Sequence, residues 1–176
     1  MANVPILRPA TGDYAPYYAR YIDQVPDGDF TALLERQARE TVSFLRGISE
    51  KQSRHRYAPD KWSIREVVGH VADSERVFTY RALSFARGDT NVLPGFDENA
   101  WGAATNADSR SLADLIDEFA AVRAASLALF RGFSDKELSR SGTASSQRVT
   151  VAALAYIVAG HERHHVKILK ERYLSA

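Results

Sequence analysis

The 176-residue chain contains no cysteine, which excludes disulfides, thiolate metal ligands and a cysteine nucleophile together. Any metal it holds must be bound through nitrogen and oxygen. Net charge is nearly absent too: 23 Lys and Arg stand against 22 Asp and Glu, leaving +1, with the two signs mixed along the chain. No field of one sign exists to draw in nucleic acid or an anionic membrane. The densest basic spot, Arg54, His55 and Arg56, reads as a solvated loop. No stretch approaches the roughly 18 consecutive apolar residues of a membrane span. The opening "MANVPILRPATGDYAPYYARY" lacks a basic segment followed by an apolar core, so the expected location is the cytoplasm.

What is present fits one globular domain over residues 1–176, with 45% apolar and 26% charged residues, enough to bury a sizeable core. Four helical patterns can be read, and no region resembles a series of strands. The first covers Phe30 to Ile48, with Leu34, Gln37, Thr41, Phe44 and Ile48 at alternating spacings of three and four. The second opens at "KWSIRE", where Ser63 and Glu66 form a capping box, and continues to Arg87. The third begins at Ser111, carries Leu115, Phe119, Val122, Ser126 and Leu129 inward, and ends at Gly132. A short helical turn follows from Ser134. Thr150 then caps a fourth helix running to Tyr173. The expected fold is all-α: a four-helix bundle with a long crossover connection, Gly88 to Arg110, between the second and third helices. A connection of that length lets consecutive helices lie parallel.

On the fourth helix Val151, Leu154, Val158, His161, His165, Ile168 and Arg172 mark a stripe facing the bundle. His161 and His165 are one turn and about 40° apart, so both rings can meet one point. Burying two imidazoles among apolar side chains costs free energy unless each finds a partner. Backbone or side-chain acceptors could satisfy them. So could a metal ion, for which this is the helical ligand spacing. A third ligand must then come from another helix, and "VVGHVADSE" offers His70. His55 lies in a loop and His164 at the edge of its helix face, about 60° from His161. The ligand set expected from the residues is His70, His161 and His165.

Three segments, "YAPDKWSIREVVGHVADSERVFTYRALSFARGD", "LPGFDENAW" and "VAALAYIVAGHERHHVKILKERYL", together resemble the DinB/YfiT-like superfamily of four-helix-bundle metalloenzymes. The likeness extends from the tyrosine-rich "YYARYIDQVPDGDF" to "RYL". It implies a bundle whose helix order departs from simple up-down-up-down. It also implies a zinc- or nickel-like ion held by a second-helix histidine and a fourth-helix H-x-x-x-H, which map onto His70, His161 and His165. Relatives include thiol S-transferases, thiol-dependent isomerases and hydrolases.

Three neutral histidines leave coordination positions open, as catalytic sites do. Zinc is expected first and nickel second. A bound ion of this kind lowers the pKa of water or of a thiol. The expected activity is therefore metal-dependent chemistry on a small molecule: S-transfer from a low-molecular-weight thiol first, hydrolysis as the alternative, and a non-catalytic metal- or ligand-binding module as the second alternative. Asp73 and Glu162 are the nearest carboxylates in sequence. Each is a candidate acceptor for a ligand imidazole or a general base, although a carboxylate in such a position is more often a solvated flank of the bundle. Gln37 is a candidate polar neighbour or a hydrogen-bonded core amide. Phe96, Asp97 and Trp101 either roof a pocket, plug the open side of the bundle or form the interface of a homodimer.

Overall fold

The computed structural model describes residues 4–174. Its frame is built from four long helices, α2 (Phe30–Arg46), α3 (Ile64–Ala86), α5 (Leu112–Arg131) and α7 (Val151–Ile168), with short helices α1 (Ala19–Ile22) ahead of them and α4 (Glu98–Ala104) and α6 (Asp135–Leu138) between them. Each long helix begins on a side chain that accepts from an otherwise unbonded N–H: Asp29 from Ala32, Ser63 from Glu66, Ser111 from Asp114 and Thr150 from Ala153. Ser63 and Glu66 complete the capping box expected from the sequence. After Ile168 the backbone widens into a single π-type turn through Leu169–Tyr173.

Cross-helix pairs give the topology. Arg46–Asp117 and Phe30–Phe130 set α2 antiparallel to α5. Arg65 Nη1 donates to the Arg110 carbonyl and Arg76 pairs with Glu118, so α3 runs parallel to α5. Trp62 meets Tyr173 and Phe78 meets His161, which makes α3 and α7 antiparallel. The expected crossover is thus present: residues 87–111 carry the chain the length of the bundle so that two consecutive long helices share a direction.

The crossover is more ordered than its sequence suggests. It contains α4, started by Asp97, whose carboxylate accepts from Asn99 N and Ala100 N. Leu93 bonds to a two-stranded hairpin, β1 (Ser141–Ala144) and β2 (Gln147–Thr150), through Leu93 N to Thr143 O and Ser145 N to Leu93 O. The residues ahead of Thr150, "SRSGTASSQR", are polar and were not expected to form strands. Ser145 and Ser146 both take positive φ, 51° and 62°, the backbone of a tight hairpin turn that Asn-Gly ordinarily signals. With Ser-Ser at the turn and no apolar alternation, the signal is missing from the residues.

Two apolar clusters fill the bundle. One joins Leu33, Leu34, Phe78, Phe85, Phe130, Leu154 and Val158. The other joins Leu45, Val67, Val71, Leu115, Phe119 and Leu169. Between them lies a buried polar layer to which every long helix contributes: Gln37, Glu75, Arg123 and Glu162. Arg123 donates through Nε and Nη2 to the two oxygens of Glu75, both at 2.8 Å. Its Nη1 lies 2.6 Å from Glu162 Oε2, which also accepts from Gln37 Nε2. Of the stripe expected on α5, Leu115, Phe119 and Ser126 are buried, and the other two positions shift by one residue. Arg123 and Phe130 are buried where Val122 and Leu129 were expected, because two carboxylates make a charged side chain tolerable in the interior. Arg172, expected on the inward stripe of α7, is exposed.

Candidate metal centre

The three histidines expected from the sequence are brought together. His70 Nε2 and His161 Nε2 stand 3.1 Å apart. One ring nitrogen from each of His70, His161 and His165 falls within 4.8 Å of the others. The cluster does not lie on the bundle axis, which Glu162 and Arg123 occupy at this level; it faces sideways, between α3, α7 and α1. His70 is flanked by the Trp62 ring at 4.6 Å, and His161 by Tyr21 at 5.3 Å and Phe78 at 5.7 Å. His164 packs on Tyr21 at 5.3 Å and borders the same space without joining the cluster.

Burial holds the three rings neutral. It lowers the His70 pKa to about 4. Burial, and then the neighbouring imidazoles, push His161 and His165 well below the ordinary histidine range. Neutral imidazole is the form that ligates a metal. Within the cluster His70 Nε2 faces His161 Nε2, and the Ser74 hydroxyl lies 3.5 Å from His70. Converging neutral nitrogens that aim at one another rather than at carboxylates or carbonyls fit a divalent transition-metal ion.

The same burial makes a pH prediction for metal-free protein. Below pH 6.5 the unfolded chain takes up protons on these histidines, whereas the folded chain resists doing so until about pH 4 at His70 and until well below the ordinary histidine range at the other two. Stability is therefore fully present above 6.5 and falls as pH drops towards 4. From His70 alone the loss is on the order of 3 kcal/mol. Urea unfolding of chelator-treated protein at pH 7 and pH 4 measures it, with His70→Gln showing a flatter dependence. Equal wild-type stability at the two pH values contradicts the expectation.

The cluster opens into a cavity of about 480 Å³. Its walls include Tyr18 and Tyr21 from the N-terminal segment, Trp62 just ahead of α3, His70, Ser74, Phe78 and Arg81 along that helix, Phe96 and Glu98 from the crossover, Ser145 and Gln147 from the hairpin, and the α7 histidines. Burial raises the pKa of Tyr18 and of Tyr21, so both phenols keep their protons as hydrogen-bond donors. Of the crossover residues noted in the sequence, Phe96 lines the cavity, Asp97 serves as the α4 cap, and Trp101 packs on Phe96 at 4.8 Å while remaining 47% exposed.

Neither carboxylate candidate borders this cavity. Asp73 is half-exposed and pairs with Arg76 at 3.1 Å. Glu162 is 1% exposed in the polar layer, and Gln37 is its core hydrogen-bond partner. Sequence reasoning missed Arg81 and the tyrosines. A signal for Arg81 existed: His70, Ser74, Phe78 and Arg81 follow spacings of four, four and three, which place all four on one face of α3.

Gly160 lets the roof close. A Cβ there would collide with the Tyr21 carbonyl, so only glycine allows the chain around Tyr21 to seat on α7 beside His161. Gly→Ala inside a helix ordinarily stabilises by about 1 kcal/mol. At residue 160 the sign reverses, with Gly160→Ala expected to cost about 1–3 kcal/mol through overpacking. Thermal unfolding checks it, and a raised melting temperature would refute the packing argument.

No helix among the described residues is long and apolar enough to cross a membrane. No curated protein sequence matches the chain. Among solved structures, YfiT from Bacillus subtilis, described as a probable metal-dependent hydrolase with an unusual four-helix bundle topology, superposes with a TM-score of 0.71 at 18% identity, covering 84% of this chain and 88% of that one. The sequence model of the DinB superfamily matches residues 33–169, a span that takes in all four long helices and His70, His161 and His165. The chain belongs to the DinB superfamily.

Proposed function

We propose that this protein is a metal-dependent enzyme acting on a small molecule, with His70, His161 and His165 as ligands of one divalent ion. The observation that carries the reading is the convergence of three buried, neutral imidazoles on the wall of a 480 Å³ cavity, a size suited to a small organic substrate. When bound, such an ion lowers the pKa of water or of an incoming thiol and polarises a carbonyl or phosphoryl oxygen. Zinc is the first expectation and nickel the second.

The chain's own residues prepare the site. Trp62, Phe78 and Phe96 supply apolar walls that exclude water from one side of the cluster. The protonated phenols of Tyr18 and Tyr21 are placed to donate to a substrate oxygen. With no cysteine in the chain, a thiol nucleophile must arrive as a low-molecular-weight cosubstrate. Two reactions share this machinery, hydrolysis and thiol S-transfer. The description of YfiT supports hydrolysis, whereas the wider family resemblance supports S-transfer.

The deciding experiment begins with metal analysis of protein purified without an affinity tag, then a panel of activated esters and amides run beside low-molecular-weight thiols with an electrophilic acceptor. About one transition-metal ion per chain and turnover of either class supports the proposal. Hydrolysis without thiol consumption assigns a hydrolase, and the reverse assigns an S-transferase. Protein that takes up no transition metal from replete buffer ends the metalloenzyme reading.

A further inference from the structure

The cavity has a second polar pole, far along α3 from the histidines. Arg81 lies on the same face of that helix as His70 and 11 residues further on, a rise of about 16 Å. It is 3% exposed and lines the cavity. Its Nη2 donates to the Pro94 carbonyl at 2.8 Å and to Ser145 Oγ at 3.1 Å, and the guanidinium also bonds the Tyr18 hydroxyl. All of these partners are neutral. Among the described residues no carboxylate forms an ion pair with Arg81, in contrast to Arg65 and Arg123, the other buried arginines.

A buried cation without a counter-charge is costly. Its fork of donors is also the geometry that grips a carboxylate or phosphate in two-point fashion. Two other charged side chains face the cavity: Arg20, exposed and stacked over the Tyr17 ring at 3.6 Å, and Glu98, exposed on α4. With the histidines neutral, the lining leans positive. Between Arg81 and the histidines stand Tyr18, Tyr21 and Phe78, which suit an apolar or aromatic body.

We propose that Arg81 is an anion-binding subsite, and that the substrate is a small organic molecule with an apolar body and an anionic oxygen group (carboxylate or phosphate) at the end remote from the histidine cluster. The proposal deepens the metal-dependent reading and rests on it only for which end reacts. Arg81 fixes orientation, and Ser145 and Pro94 fix Arg81, so the hairpin and the crossover loop set this end of the pocket.

The test uses full-length, metal-stripped protein, so that no ion can capture the anion, titrated with benzoate, phenylphosphonate and neutral benzamide by calorimetry. At least one of the two anions should bind, and more tightly than benzamide by at least about tenfold, the scale of one charge-assisted bond pair. Arg81→Gln should remove that preference and Arg81→Lys should retain part of it. Because Arg81 also holds Pro94 and Ser145, the wild-type protein supplies an independent measurement: the Arg81 Nε–Hε nuclear resonance should shift with the favoured anion and not with benzamide. Benzamide binding as tightly as both anions, an unmoved Arg81 resonance, or an undiminished preference in folded Arg81→Gln overturns the proposal. Metal uptake by the wild-type protein, measured beside the titration, keeps the two readings apart. Wild-type protein that prefers an anion but takes up no transition metal sinks the metal reading alone, and wild-type protein that takes up metal but shows no anion preference sinks the subsite alone. Between the two anions, the tighter one names the group.

Discussion

Alanine at His70, His161 or His165 removes most of the chain's capacity to hold a transition-metal ion, and alanine at His164 leaves it. The first three place a ring nitrogen within 4.8 Å of one another, whereas His164 sits to the side against Tyr21. Losing one of three ligands should cost more than the roughly 10- to 100-fold that removing a group behind a ligand costs. His164→Ala should stay within that range. Competition against a chromophoric chelator measures all four variants, and each ligand variant should also lose the stabilisation that zinc gives the wild type. Should His164→Ala abolish binding while His165→Ala leaves it intact, the ion is held by the H-x-x-H pair, and the ligand set argued above is wrong.

Much of this centre was legible because it depends on periodicity. His161 and His165 fall on one helical face by spacing alone, and capping residues Ser63, Ser111 and Thr150 mark where the helices start. The crossover was legible from length and turn residues. The direction the cluster faces was not. The apolar stripe of α7 pointed the histidines at the bundle axis, but Val151 to Glu162 is buried on nearly every side, since the chain around Tyr21 covers the face that α2, α3 and α5 leave open. A helix buried all round has no stripe from which its rotation can be read. Glu162 was hidden for the complementary reason. A carboxylate reads as solvent-facing until its partner Arg123 is known to be inside, and nothing in either local sequence announces the pairing. The Ser145-Ser146 hairpin and the tyrosine-rich roof were missed because their conformations are imposed by contacts with Leu93 and Gly160, distant in the chain.

The polar layer yields the other large effect. Arg123→Met should destabilise the protein by about 3–5 kcal/mol, the cost of leaving buried charge without its partner. Here two carboxylates are stranded: the side chains of Arg123, Glu75 and Glu162 are 1%, 2% and 1% exposed, so water cannot take over from the guanidinium. The triple variant Arg123→Met/Glu75→Gln/Glu162→Gln should recover most of that loss, because it removes the charges together and leaves Gln37 a neutral hydrogen-bond partner. Urea denaturation of the metal-free proteins compares the two. A cost below about 1 kcal/mol for Arg123→Met, the value of an exposed pair, would contradict the interior ion network. What the triple variant should not recover is metal affinity. The contacts of Glu162 with Arg123 and Gln37 fix the rotation of α7 against α5 and α2, and Glu162 immediately precedes Arg163 and follows His161. Losing the Arg123 half of that anchorage loosens the aim of His161 and His165 at once, so zinc should bind the stable triple variant about 10- to 100-fold more weakly than it binds the wild type. Equal zinc affinity in the two folded proteins would show that the histidines are held by the aromatic rings around them, Trp62, Phe78 and Tyr21, and that the ion network serves the fold alone.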